Sequence, residues 1–165
     1  AAHRKLFEKT AMTSPYLEQV QSIGNATRDP RGWSVTILYF ALINHATPVL
    51  ANAQWLPVDE AMTIDWAFDH QSLLQIAFER LRNKTRYTAL PIGLMPDLFT
   101  LTELQQIFEV ILGQKFEKKS FRRRMQDAGV VQSTDFSKRS GKRNAQLYRA
   151  PSVSLDFVFP RALES

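Results

Sequence analysis

Thr100-Leu-Thr-Glu-Leu-Gln-Gln-Ile-Phe-Glu-Val-Ile-Leu-Gly113 and, after a short connection, Lys118-Lys-Ser-Phe-Arg-Arg-Arg-Met-Gln-Asp-Ala-Gly129 are the two strings whose reading decides the fold. The first opens with a capping box, in which the Thr100 hydroxyl accepts from the Glu103 amide while the Glu103 side chain reaches back. Leu101, Leu104, Phe108 and Ile111 then recur at helical spacing, and Gly113 supplies the stop. The second string predicts a helix from about Lys118 to Ala128, ended by Gly129. Two short helices joined this tightly have the form of a helix-turn-helix.

The second helix divides into faces at about 100° per residue. Phe121, Met125 and Ala128 gather on one side and are expected to be buried. Lys119, Arg123 and Gln126 lie opposite, placed to enter a major groove. Arg and Gln suit that place because their forked hydrogen-bonding groups match guanine and adenine edges. Lys118, Arg122 and Arg124 flank this face and are expected to reach phosphates. Val130-Val131-Gln132 and Gln146-Leu147-Tyr148-Arg149 read as two strands. The loop between them carries Lys138, Arg139, Lys142 and Arg143 around Gly141, so residues 100–165 form a winged helix with a basic wing tip. The plainer alternative is a helical hairpin followed by a solvated loop.

Charge favours the winged helix. The net formal charge of +5 is unevenly placed: residues 1–114 hold nine Lys/Arg against eleven Asp/Glu, and residues 115–149 hold eleven against three. Residues 150–165 hold one against two, so the positive excess lies within one 35-residue block. A solvated face usually mixes signs, whereas a one-sided block reads better as the footprint of a polyanion; an anionic membrane surface would attract it too, so charge alone does not decide. Double-stranded DNA fits better than RNA. The block has few aromatics (Phe116, Phe121, Phe136, Tyr148), and single-strand binding usually wants exposed ones.

Composition excludes several other classes. The 165 residues contain no cysteine, which removes disulfides, thiolate metal sites and a cysteine nucleophile. No apolar run reaches the roughly 18 residues that would cross a bilayer. His3, His45 and His70 show no metal spacing. A reducing cytoplasm is compatible with this composition though not demanded by it; a cytoplasmic protein with no cofactor, no metal and no catalytic residues is expected.

The N-terminal part reads as α/β. Residues 1–11 look helical, Tyr16 to Ile23 alternates as a strand, and Gly24-Asn25 and Arg28-Asp-Pro-Arg-Gly32 are turn chemistry. Trp33 to Ile43 is expected to be a central strand, and Ala53 to Pro57 a shorter one. A helical turn follows over 59–63. Asp65 or Asp69 then caps a long helix running to about Arg82 or Lys84, with Leu73, Ile76, Ala77 and Leu81 as its core stripe. Residues 85–99, rich in proline and glycine signals, read as a linker between domains 1–84 and 100–165.

Arg4-Lys5-Leu6-Phe7-Glu8-Lys9-Thr10-Ala11-Met12 is similar to the second half of a Nudix box, whose pattern there is Arg-Glu-apolar-x-Glu-Glu-x-Gly-apolar. Arg28-Asp-Pro-Arg-Gly32 before an apolar strand, Trp55-Leu-Pro57 and Ala67-Phe-Asp-His70 extend the similarity. With Phe121-Arg-Arg-Arg-Met125 in a following winged helix, the whole resembles the Nudix-related transcriptional regulators of NAD metabolism, the NrtR family. The resemblance implies an α+β chain: a partial Nudix-like α/β sandwich followed by a winged helix-turn-helix. It also implies a homodimeric repressor that binds a double-stranded operator and is released by ADP-ribose or a related NAD metabolite. Arg28, Asp29 and Arg31 are where ligand contacts are expected, since arginine suits a diphosphate; a plain surface turn with a local salt bridge is the other reading.

Two departures from the Nudix pattern matter. Lys5 and Lys9 stand where the hydrolase has glutamates, and lysines repel the Mg²⁺ that clustered oxygen ligands would hold. The alternative, a Nudix hydrolase of ADP-ribose-type diphosphates with an accessory basic domain, is therefore disfavoured. The glycine-rich start of the box is absent, which implies that the chain is a fragment of a longer regulator.

Overall fold

The computed structural model describes residues 1–14, 16–44, 53–140 and 143–163. The chain divides into two compact units, Ala1–Leu81 and Arg82–Ser165.

The first unit contains helix α1 (Ala2–Thr10), strands β1 (Tyr16–Asn25) and β2 (Ser34–Leu42), the short helix α2 (Val58–Ala61), and the start of helix α3 (His70–Thr85). β1 and β2 form an antiparallel pair that runs from Tyr16 opposite Leu42 to Asn25 opposite Ser34. Side chains at the turn hold the connection: Asn25 Oδ1 accepts from the Thr27 amide at 2.8 Å, and Asp29 Oδ1 from the Arg31 amide at 2.9 Å. Gly32 has φ 129°, a region in which a side chain is strained. At the far end of the pair the buried Ser14 hydroxyl donates to the Leu42 carbonyl at 2.7 Å.

Two expectations for this unit change. Trp33 to Ile43 is not a central strand, because β2 has β1 as its single described partner. Its alternate residues Trp33, Val35, Ile37 and Tyr39 are exposed, Trp33 at 71%. Ala53 to Pro57 is not a strand: no described strand pairs with it, and Pro57 instead becomes the N-cap of α2. Local composition signals an extended backbone but not the presence of a partner. The helical stripe holds, with Leu73 buried and Ile76, Ala77 and Leu81 half-buried.

The second unit follows the tail of α3 with a 3-10 turn (Leu90–Leu94), helices α4 (Leu101–Leu112) and α5 (Lys118–Asp127), strands β3 (Gln132–Ser140) and β4 (Arg143–Arg149), and a 3-10 turn (Ser152–Asp156). α4 begins in the expected capping box: the Thr100 amide donates to Glu103 Oε2 at 2.7 Å, and the Glu103 amide to Thr100 Oγ1 at 3.2 Å. It ends at Gly113, whose φ of 69° permits the left-handed cap. Leu104, Phe108, Phe121 and Met125 interlock in the core with Ile92, Phe99 and Val130. The Phe108 and Phe121 rings meet edge to face with centroids 5.4 Å apart. Complete burial of a side chain such as Phe108 is worth roughly 1.5–3 kcal/mol.

Residues 85–99 are no linker. Thr85, Thr88, Ala89, Leu90, Pro91, Ile92 and Phe99 are all buried, and the boundary falls earlier, between Leu81 and Arg82. Pro91 and Gly93 mark a turn, but composition does not say whether a turn is covered. Phe99 also joins the hairpin: its amide donates to the Tyr148 carbonyl at 3.0 Å, and the Tyr148 amide donates back at 2.8 Å. The wing is a longer ladder than expected. Lys138 and Arg139 sit within β3, opposite Ala145 and Asn144, rather than in a loop.

Candidate nucleic-acid interface

α5 is held at its start by Glu117, whose carboxylate accepts from the Lys119 amide at 2.9 Å and the Ser120 amide at 2.6 Å. Those two backbone bonds keep the Glu117 carboxyl below its usual pKa. This cap escaped the sequence reading because Glu is not among the favoured N-cap residues; its position just before the helix was the available signal. Phe121 and Met125 are buried at 2% and 0% exposure, which turns Lys119, Arg123 and Gln126 outward as the face analysis expected. Gln126 Nε2 lies 3.4 Å from the Tyr148 hydroxyl, a long contact that ties it loosely to the wing. Lys118 and Arg139 are also exposed.

Three basic residues expected to face phosphate carry internal partners instead. Arg122 is half-buried and donates from Nη2 to Thr102 Oγ1 on α4 at 3.1 Å; its buried Nε has no hydrogen-bond partner. Arg124 is half-buried, donates from Nη2 to the Arg161 carbonyl, and lies over the Phe159 ring at 5.0 Å. Lys138 Nζ pairs with Glu103 Oε1 at 3.0 Å, although its side chain remains 62% exposed. A helix wheel ranks residues by angle and cannot register a carbonyl brought in from 37 residues away. Lys142 lies outside the described residues, as does the side chain of Arg143.

The residues expected to touch a ligand separate in the same way. Arg28 is half-buried, its side chain 8% exposed, and grips Asp69 with two bonds, Nε to Oδ2 at 3.0 Å and Nη2 to Oδ1 at 2.9 Å. Its Nη1 donates to the Ile23 carbonyl at 3.2 Å, so Arg28 fastens the β1 end to the start of α3. Asp69, expected as a helix cap, spends its carboxylate on this pair, which lowers its pKa. Arg31 pairs with Asp29 at 2.7 Å and is 83% exposed. The Arg31 hydrogen bond pulls the Asp29 carboxyl down to about 2. Arg28 is thus committed to Asp69, whereas Arg31 stays at the surface with Asp29.

Glu8, the carboxylate that matches the Nudix pattern, is engaged by Arg4 at 3.1 Å and Lys5 at 2.8 Å. Among the described residues no three His, Asp or Glu side chains gather where a metal could be held. His45 lies outside them. Among them, too, no helix is long and apolar enough to cross a membrane.

Two helices, a basic outward face on the second, and a hairpin beside it define the second unit as a winged helix of the DNA-binding class. Residues 91–150 match the family described as the NrtR DNA-binding winged helix domain. The "ADPR responsive transcriptional repressor NtrR" of Acinetobacter baylyi is 63% identical over 168 residues, which cover 99% of this chain and 67% of that protein. The chain belongs to the NrtR family. The crystal structure of Shewanella oneidensis NrtR complexed with a 27mer DNA matches 98% of this chain and 76% of that one, at 38% identity and a TM-score of 0.89. A MutT/nudix family protein from Enterococcus faecalis covers 92% of this chain and 69% of its own, at 23% identity and a TM-score of 0.71. The last likeness is one of fold alone. The architecture is accordingly a partial Nudix-like unit followed by a winged helix.

Proposed function

We propose that this chain is a transcriptional repressor that binds double-stranded operator DNA through α5 and is released by ADP-ribose or a related NAD metabolite. The observation that carries the reading is the one-sidedness of α5: Lys119, Arg123 and Gln126 stand clear of the buried Phe121 and Met125. A helix that buries one apolar face and leaves long forked donors on the other is built to be inserted into a groove. The names of the relatives support both halves, DNA in the Shewanella structure and ADPR response in the Acinetobacter repressor. The regulated genes are those of NAD cofactor metabolism, and the protein acts as a cytoplasmic homodimer, where a two-fold operator would be read by two copies of α5. It is not an enzyme: Glu8 is spent on Arg4 and Lys5, which suits a sensor more than a hydrolase.

Among the expected contacts, Lys118 and Arg139 reach phosphates, joined by Lys142 and Arg143 of the wing. Arg31 is the exposed candidate for an effector diphosphate, with Asp29 holding it and Arg28 anchoring the turn beneath.

A titration of operator against random duplex over rising salt tests the reading, with ADP-ribose added in a second arm. Arg123→Ala should lose discrimination between duplexes, by about 1–3 kcal/mol for a base contact. Arg139→Ala should weaken all duplexes alike and reduce the salt slope by about one. Arg31→Ala should bind operator normally but need more ADP-ribose for release. Identical behaviour of Arg123→Ala and Arg139→Ala, or a folded protein with no duplex binding, would sink the proposal.

A further inference from the structure

The segment that follows the wing lies outside the matched family region of residues 91–150, yet it is fastened into the DNA-binding unit at several points. The buried Ser154 hydroxyl donates to the Val130 carbonyl at 3.0 Å, immediately after α5. The Ala89 amide donates to the Phe157 carbonyl at 3.1 Å, the Phe159 amide to the Tyr87 carbonyl at 2.7 Å, and the Leu163 amide to the Arg86 carbonyl at 2.6 Å. Phe159 and Leu163 are buried core members. The Phe157 and Phe159 rings stack edge to face, 5.3 Å apart. This segment therefore runs along the stretch that leaves α3 and ends against the back of α5.

Arg124 is where it meets α5. Its guanidinium donates to the Arg161 carbonyl and covers the Phe159 ring. The contact borders an open cleft of about 710 Å³ between the two elements, lined among others by Arg123, Arg124 and Asp127 of α5 and by Phe157, Phe159 and Arg161. Phe159 and Leu163 also share the buried core with Phe121 and Met125, and the Arg124 contacts add a polar tie to that packing. A hydrogen bond and a cation–π contact on one guanidinium restrict both the distance and the rotation of the helix.

We propose that residues 157–163 are a strap that sets the attitude of α5 in the groove, and that Arg124 is a positioning residue rather than a phosphate contact. The inference rests on the DNA-binding reading for its effect but not for its geometry. Groove-facing side chains must be held close to their productive placement, and a small turn of α5 would misplace Lys119, Arg123 and Gln126 together.

Arg124→Gln and Phe159→Leu, made in the full chain, separate the two roles. Leu keeps an apolar side chain at position 159 and removes the ring under the guanidinium. Fluorescence anisotropy over a salt series is the measurement, with a labelled duplex of the 27mer DNA from the Shewanella oneidensis NrtR complex used as the operator. A phosphate contact gives Arg124→Gln a salt slope lower by about one. A positioning residue leaves the slope unchanged and costs about tenfold in operator affinity at every salt concentration, the scale of the two lost contacts. Phe159→Leu should reproduce that loss, and the double variant should fall short of the product of the two. A reduced slope, or an Arg124→Gln protein that binds as tightly as the parent, overturns the proposal. Amide hydrogen exchange on the free protein judges the strap without DNA: exchange along α5 must quicken in Arg124→Gln while α4 is unchanged. If the parent protein binds no duplex, the DNA reading fails, and this exchange result alone decides the strap.

Discussion

The two units carry similar apolar material and use it differently. In the second, Leu101, Leu104, Phe108 and Ile111 are all buried, and the first three share one core with Phe121, Met125 and Ile92. In the first, β2 is at least as apolar, yet Trp33, Val35, Ile37 and Tyr39 remain exposed along one face while Ser34, Thr36, Leu38 and Phe40 are half-buried. The difference lies in how many partners each element meets. Two helices, a hairpin and a returning segment enclose a core; a two-stranded sheet has two faces to cover and, among the described residues, few neighbours to cover them. Hydrophobicity alone therefore says that a face needs a partner and not whether it has one.

The sharpest way to break this comparison is to remove a core ring from the second unit. Phe108→Ala should cost about 3–5 kcal/mol, read as a shifted midpoint in urea unfolding followed by circular dichroism. A loss near zero would mean that the core is not the closed cluster described. Smaller, by the same measurement, is the capping box: Thr100→Ala should cost about 1 kcal/mol, because the Glu103 amide and the Glu103 carboxylate both lose a partner.

A pH series sharpens the electrostatic part. Glu109 accepts from Lys115 Nζ at 2.7 Å, Gln105 Nε2 at 2.9 Å and the Phe116 amide at 3.1 Å. With Lys115 as the largest cause, these bonds pull its pKa from 4.5 to about 2. A carboxylate whose pKa is lowered by folding stabilises the native state above its unfolded pKa and ceases to do so as pH falls through the folded one. The stability gap between the parent protein and Glu109→Gln should therefore be full near neutrality and close between about pH 4.5 and 2. A gap that widens in acid would reverse the assignment. The smallest effect is expected for Trp33→Ser: a residue 71% exposed should shift stability by no more than about 0.5 kcal/mol. A loss several times larger would show that the β2 face is covered in the working protein and that the contrast between the units is only apparent.

Much of the DNA-binding unit was legible because its signals are local. The Thr100 and Glu103 box, the Gly113 stop and the Phe121–Met125 stripe each depend on residues within one or two turns. The side chains that departed from expectation did so through distant partners. Arg124 meets Arg161 and Phe159, Arg28 meets Asp69, and Lys138 meets Glu103. Residues 85–99 look like a linker by composition and become core through contact with helices that begin later in the chain.

The amino-acid order by itself determined where the helices of the second unit start and stop, which side of α5 turns outward, and where positive charge collects. Each follows from backbone hydrogen-bonding geometry and helical period, which act over a few residues. Only the tertiary structure decided which of those positive charges remain available. An arginine at a given angle on a helix is drawn to whatever oxygen or ring the rest of the chain brings near. For Arg122 and Arg124 that was Thr102, Arg161 and Phe159, and for Lys119 and Arg123 it was solvent.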